Sequence, residues 1–432
     1  MNRLLSSPTL VCALLAALPA MAAETPNYAA DTLSGDWGGV RGALYQKGLA
    51  LDIGTKVDLL RNMGGGIERG GRAMSHLDVK LKADFEALAG WSGASGYVNF
   101  IQDHGGKLNT QQVGSWTNVS NIEVPVNTNR LFHAWVQKEF ADGRGALLVG
   151  LYPIDSEFAT VDSAGIFVQP PYGATADFAL TRGPSIFNNS AFGFRGKWSS
   201  ADRSTYVMGA VLDGIPGDPN NPRGTHIKFN KGDGSMSIVE IGLMPAEAGH
   251  VFEPASEIRG EPQAPELKAH EAAERVEKYA AGLWRYSSRV ADQSDATVNR
   301  LSWGWYALAE RTLFQGDNGR DLAGFLRVSG TDGDSTPIKT AVNVGVRLKA
   351  PLAGRADDVV GLAYTRASLS GKWRGAQTFD TTAFESAWEA TYRIQARKWL
   401  AVQPMMQIIS HPGGVGSRAP ARVLGARIEV AW

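Results

Sequence analysis

The chain has a single cysteine, Cys12, and it falls inside an N-terminal apolar run. Arg3 precedes the run, Thr9 to Leu18 form it, and Ala20-Met21-Ala22 follows as a small-residue cleavage site, so 1–22 is expected to be an export signal. The run is too short to cross a bilayer as a helix, and Cys12 lacks the small residues that precede a lipidated cysteine. A mature chain from residue 23 onward would hold no cysteine, which excludes disulfides, thiolate metal sites and cysteine nucleophiles.

Net charge is missing too. Forty-three basic side chains face 43 acidic ones, or 42 against 43 once Arg3 leaves with the signal, so the basic surface of a nucleic-acid binder is not there. After the leader no apolar run is long enough for a membrane helix. That does not exclude a membrane barrel, whose strands show lipid only every second residue. "MGGGIERGGR" lacks the lysine and hydroxyl of a phosphate loop, and "HGGKL" has leucine where Ser or Thr is required. No two of the seven histidines share a strong ligand spacing, so neither a metal nor another cofactor is expected. No G-x-S-x-G turn marks a hydrolase nucleophile, and an enzyme is not the expectation.

What the chain does have is 50 glycines, 12 tryptophans and a period of two. Leu51, Ile53, Val57 and Leu59 alternate with Asp52, Gly54, Lys56 and Asp58; Val342, Val344, Val346 and Leu348 alternate with Asn343, Gly345, Arg347 and Lys349. One apolar face and one ionised face describe a wall between lipid and water. Sixteen such segments can be counted, at about 49–60, 73–86, 95–103, 127–140, 145–152, 190–199, 203–212, 236–244, 277–287, 300–314, 321–330, 338–349, 357–367, 382–396, 399–409 and 421–432. The expected fold is all-β: a 16-stranded antiparallel transmembrane barrel over 49–432, with the third outer loop folded inward. Residues 23–48 would form an N-terminal periplasmic segment with a short helix in "GDWGGVRGALYQKG", capped by Asp36 and stopped by Gly48. The stretch 245–276 reads as a partly helical periplasmic insertion.

By alternation Arg195, Arg347 and Arg393 point into the lumen, Arg393 together with Glu389. A lumen charge is by default part of a solvated ladder paired across strands. The long loop 153–189 carries Glu157 and Phe158 among other acids, rings and Arg182, a mixture that suits sugar hydroxyls and pyranose faces. With Asp103 and His104 at the top of the third strand, these residues are the candidates for a constriction that binds substrate.

Three stretches then carry a resemblance. "LSGDWGGVRGALYQKGLAL", "HAWVQKEFADGRGALLVGLYP" and "ESAWEATYRIQARKWLAVQPMMQIISHPGG" resemble the carbohydrate-selective porin family, often called OprB-like, over about 35–432. The resemblance implies a monomeric outer-membrane barrel that passes monosaccharides such as glucose by facilitated diffusion. It also implies a terminal aromatic, here Trp432, read by the outer-membrane assembly machinery. The partners expected are therefore a carbohydrate, outer-membrane lipid and that machinery. Where family members often carry an eyelet arginine, "IQDHGGKLN" has Asp103 and His104. A general diffusion porin and an outer-membrane barrel hydrolase are the alternatives.

Overall fold

The computed structural model describes residues 25–245, 275–316 and 319–432. The expected signal and nearly all of the expected insertion at 245–276 lie outside the described residues. Sixteen strands run in chain order: β1 (Leu49–Gly64), β2 (Gly70–Asp84), β3 (Ala94–Gly105), β4 (Thr128–Phe140), β5 (Gly145–Tyr152), β6 (Ala191–Ser199), β7 (Thr205–Asp213), β8 (Ser235–Leu243), β9 (Glu277–Ala291), β10 (Asn299–Gln315), β11 (Asp321–Thr331), β12 (Ile338–Lys349), β13 (Val359–Leu369), β14 (Phe384–Arg397), β15 (Leu400–Ser410) and β16 (Ala421–Ala431). Each pairs antiparallel with its sequence neighbours, and β16 returns to β1, so the sheet closes without an edge. Closure is what allows strands to cross hydrocarbon, because every ladder donor and acceptor then finds a partner inside the sheet. All sixteen expected segments are strands, with β1 running on to Gly64 and β9 to Ala291.

The barrel is polar inside and apolar outside. Asp58, Glu240, Glu385 and Glu389 have no exposed surface, whereas Leu59, Phe194, Ile241 and Leu283 are each at least half exposed. A water-soluble protein would not leave such a continuous apolar belt uncovered, but a bilayer covers it. Short turns such as 141–144 and 200–204 lie at one end with residues 25–48 and Trp432, and long loops such as 106–127 and 153–190 lie at the other. Short turns mark the periplasmic side of such barrels and long loops the outer side.

At the periplasmic end, Val40–Gln46 forms an α-helix; Asp36 Oδ1 accepts from the Gly42 N–H at 2.8 Å, and Gly48 leaves the helix at φ 93°. Arg41 projects from this helix onto the barrel seam. It donates to the carbonyls of Trp432 (2.7 Å) and Leu51 (2.8 Å) and stacks on the Tyr28 ring at 4.2 Å. Trp432 continues the ladder, its N–H donating to Ile53 O at 2.9 Å, and its indole faces outward and donates to Thr55 Oγ1. The last residue therefore completes the closure.

Candidate functional site

The third outer loop, 153–190, is held against the inner wall by side chains that grip its peptide groups. Glu240 on β8 accepts from Ala159 N at 2.8 Å and from the hydroxyls of Tyr206 and Tyr306, each at 2.6 Å. Glu310 on β10 accepts from Asp162 N, Ser163 N and Ser163 Oγ at 3.2, 2.9 and 2.9 Å. Glu389 on β14 accepts from Val168 N (2.7 Å) and Gln169 N (2.9 Å). Cations grip the carbonyls in the same way: Lys278 on β9 donates to Thr160 O, and Arg327 on β11 donates to Ala159 O, Gly173 O and Pro171 O. Gln403 on β15 takes Ile166 O at 2.7 Å. A buried charge without partners is costly, and an irregular loop in a closed lumen has peptide groups without a ladder; each supplies what the other lacks.

Under the loop lies an apolar cluster. Phe158, Ile166, Phe167, Tyr172 and Phe178 pack on Met208, Ala210, Ile238, Trp284, Tyr306 and Phe325, all inward-facing on β7–β11. Glycine makes room for the rings. A Cβ at Gly361 on β13 would lie 2.9 Å from the Phe167 ring, and one at Gly304, paired with Trp284, would lie 2.4 Å from that indole. Within the loop, burial pushes the Asp177 carboxyl upward despite its hydrogen bond from Ser329 Oγ. Asp155 is likewise pushed up to about 6 by burial, with the Phe187 N–H as its donor.

The second outer loop, 106–127, also enters the lumen, which the sequence reading did not anticipate. Glu385 on β14 collects Ser115 Oγ, Trp116 N, Thr117 N and Thr117 Oγ1 between 2.6 and 2.9 Å. Asp58 on β1 takes Ser120 Oγ at 2.6 Å and forms a two-pronged pair with Arg427, its cross-strand neighbour on β16. Asn121 N then donates to Val168 O, so the two loops meet inside the barrel.

What the loops leave accessible is the periplasmic part of the inner face of β1–β6. Lys56, Lys82, Tyr97, His133, Trp135, Gln137, Glu139 and Lys197 are inward-facing and only partly buried. Tyr97 and Trp135 are direct cross-strand partners with ring centroids 5.4 Å apart, and His133 stands edge-on to Tyr97 at 5.1 Å. Polar groups flank this aromatic strip: Asn99 donates to Asp78 at 2.8 Å, and Lys80 lies 3.5 Å from the same carboxylate. Above it, Arg195 forms a two-pronged pair with Glu157 at 2.8 and 2.7 Å and donates to Gln137 at 2.7 Å. Burial alone would raise the Glu157 carboxyl, but Arg195 and the Tyr152 hydroxyl outweigh it and hold it below its usual value.

The predicted site residues divide between these two settings. Arg195 and Glu157 meet beside the aromatic strip. Asp103 is inward and fully buried, bonded to His76 Nδ1 at 2.6 Å and to Asn188 Nδ2 at 2.9 Å. His104, one residue on, points to the outer face and pairs with Asn129 at 3.0 Å; consecutive strand residues cannot share a face, so its expected place in the lumen is corrected. Phe158 is buried beneath the loop, and Glu389 grips the loop backbone. Arg347 pairs with Asp321 at 2.9 Å and Arg393 with Glu429 at 3.0 Å. Tyr97, His133 and Trp135 are not among the predicted site residues; the alternation that places Arg195 and Glu389 inward, applied to β3 and β4, puts these three rings in the lumen as well.

A closed sixteen-stranded antiparallel barrel with a charged lumen, an apolar belt and loops folded into its bore is an outer-membrane porin. The chain belongs to the carbohydrate-selective porin, OprB family, whose model matches residues 68–432. It is 22% identical to Porin B of Pseudomonas aeruginosa over 97% of this chain and 96% of that protein. The fold is similar to that of Pseudomonas putida OprB in its high-pH structure, with a TM-score of 0.80, 17% identity and coverage of 93% of this chain and 99% of that one. It is similar, at a TM-score of 0.52 and 11% identity, to the outer membrane channel DcaP of Acinetobacter baumannii, over 89% of this chain and 97% of that one.

Proposed function

We propose that this porin passes monosaccharide-sized sugars by facilitated diffusion along the inner face of β1–β6, and that the Tyr97, His133 and Trp135 strip is its sugar contact. One observation carries the reading: an accessible stretch of inner wall carries the edge-on and tilted rings of Tyr97, His133 and Trp135, with Gln137 and Glu157 beside them and the buried Asn99, Lys80 and Arg195 behind. Rings take the C–H faces of a pyranose and the polar groups take its hydroxyls, so part of the hydration shell is replaced at each step and the sugar is still released. A bare-anion filter would need mainly cations, and here carboxylates are interleaved with them. A channel of this kind needs no catalytic group. A single chain closes its own pore and works as a monomer, and the outward indole of Trp432 is the feature that the assembly machinery reads.

Liposome swelling with a series of mono-, di- and trisaccharides tests the reading. Monosaccharide entry should saturate with concentration and fall steeply with size. Linear, unsaturable entry with equal passage of salts would favour a general diffusion porin.

A further inference from the structure

The outer wall has a charge asymmetry that sugar passage does not explain. Along β9 the outward side chains run Tyr279, Ala281, Leu283 and then Arg285, which is exposed and makes no hydrogen bond or ion pair among the described residues. Arg289, also exposed, follows near the outer end of the strand. Arg285 borders a groove of about 1040 Å³ on the outer surface, lined by Val149, Phe194, Val211, Val239, Leu283 and Trp303. Lys138, the groove's other outward charge, lies near its periplasmic end. Elsewhere in the outer halves of the strands, Arg61, Arg366 and Arg422 are exposed, whereas Asp213 is the one outward carboxylate there among the described residues.

We propose that this groove is a binding site for an anionic, phosphorylated lipid of the outer leaflet, with acyl chains along the Val149–Leu283 surface and a phosphate held by Arg285 and Arg289. Hydrocarbon without a charge would leave Arg285 desolvated and unpaired, which is unfavourable on a lipid-facing wall. A guanidinium binds phosphate through paired N–H groups and thereby gains a partner on the lipid-facing wall. A second copy of the chain is the poorer occupant, because its own outer-half wall offers arginines to an arginine.

The test is native mass spectrometry of the full protein after detergent exchange in the presence of bisphosphorylated lipid A or its dephosphorylated form. The wild type should retain the phosphorylated lipid about tenfold better. R285Q combined with R289Q should abolish that preference, and Val239→Trp, which fills the groove and leaves both arginines, should weaken retention as well. Heat-modifiable migration shows that each variant is a folded barrel. Equal retention of both lipids by the wild type, unchanged preference in the double arginine variant, or full displacement of the lipid by millimolar inorganic phosphate would overturn the site. So would a species of multiple chain mass that is lost with the same substitutions, since a second copy would then occupy the groove.

Discussion

The inner wall of β7–β13 and the inner wall of β1–β6 have the same strand geometry and opposite uses. On the first, Met208, Ile238, Trp284 and Phe325 form a surface that the third loop covers, while Glu240, Lys278, Glu310 and Arg327 hold the loop's peptide groups. On the second, Lys56, Lys82, Tyr97, Trp135 and Lys197 stay accessible, and charge pairs such as Arg195–Glu157 sit beside open lumen. A charged residue facing into a barrel is thus not a solute contact by virtue of direction alone. What decides is whether loop backbone or water satisfies it, since either removes the cost of an unpaired charge.

The largest expected effect comes from breaking the covered half. Glu310→Ala or Arg327→Ala leaves loop peptide groups and neighbouring wall charges unpaired at a cost of about 3–5 kcal/mol. Single-channel conductance should rise severalfold and trypsin should cut at Arg182, which the closed loop protects. Unchanged conductance with an intact loop would remove the clamping role. On the open half, Tyr97→Ala, which does not touch the cluster under the loop, should weaken sugar block of the ion current about five- to tenfold, equivalent to about 1–1.4 kcal/mol, with little change in barrel stability. Trp284→Ala, inward-facing but under the loop, should do the reverse: lower thermal stability and leave sugar block nearly as it was.

A smaller effect follows from pH. Asp155 lies in the loop with a folded value of about 6, above the ordinary 3.8, so the closed loop favours its neutral form. The stabilisation is complete below the ordinary value and is lost as pH rises through about 6. Exchange of the Phe187 amide, which donates to Asp155, should accelerate between about pH 4 and pH 6 beyond its intrinsic pH dependence, and Asp155→Asn should abolish that excess. Slower exchange at the higher pH would contradict the sign.

The fold was legible because alternation is local: Leu59 and Asp58 declare their faces to a reader of five residues, and turns such as "ADGRG" punctuate the rest. The seam was legible in part, since 421–432 reads as the sixteenth strand, but the contact of Arg41 with the Trp432 carbonyl spans the chain and leaves no sequence pattern. Of the site, inward direction was readable for Arg195, Arg347, Glu389 and Arg393. Occupancy was not, because Glu389 meets Val168, and Glu310 meets Ser163, only after the barrel has closed around a loop. Tyr97 and Trp135 lie within reach of the same parity rule.

Cysteine accessibility separates the two halves most directly, because the expected mature chain has no cysteine of its own. Single variants Tyr97→Cys and Trp135→Cys on the open wall should react quickly with a membrane-impermeant maleimide, and saturating sugar should slow that reaction. Met208→Cys and Ile238→Cys, which also point inward but lie under the third loop, should react at least tenfold more slowly and show no sugar protection. Equal labelling of all four positions, or faster labelling at 208 and 238, would contradict a lumen divided into a covered half and an open one.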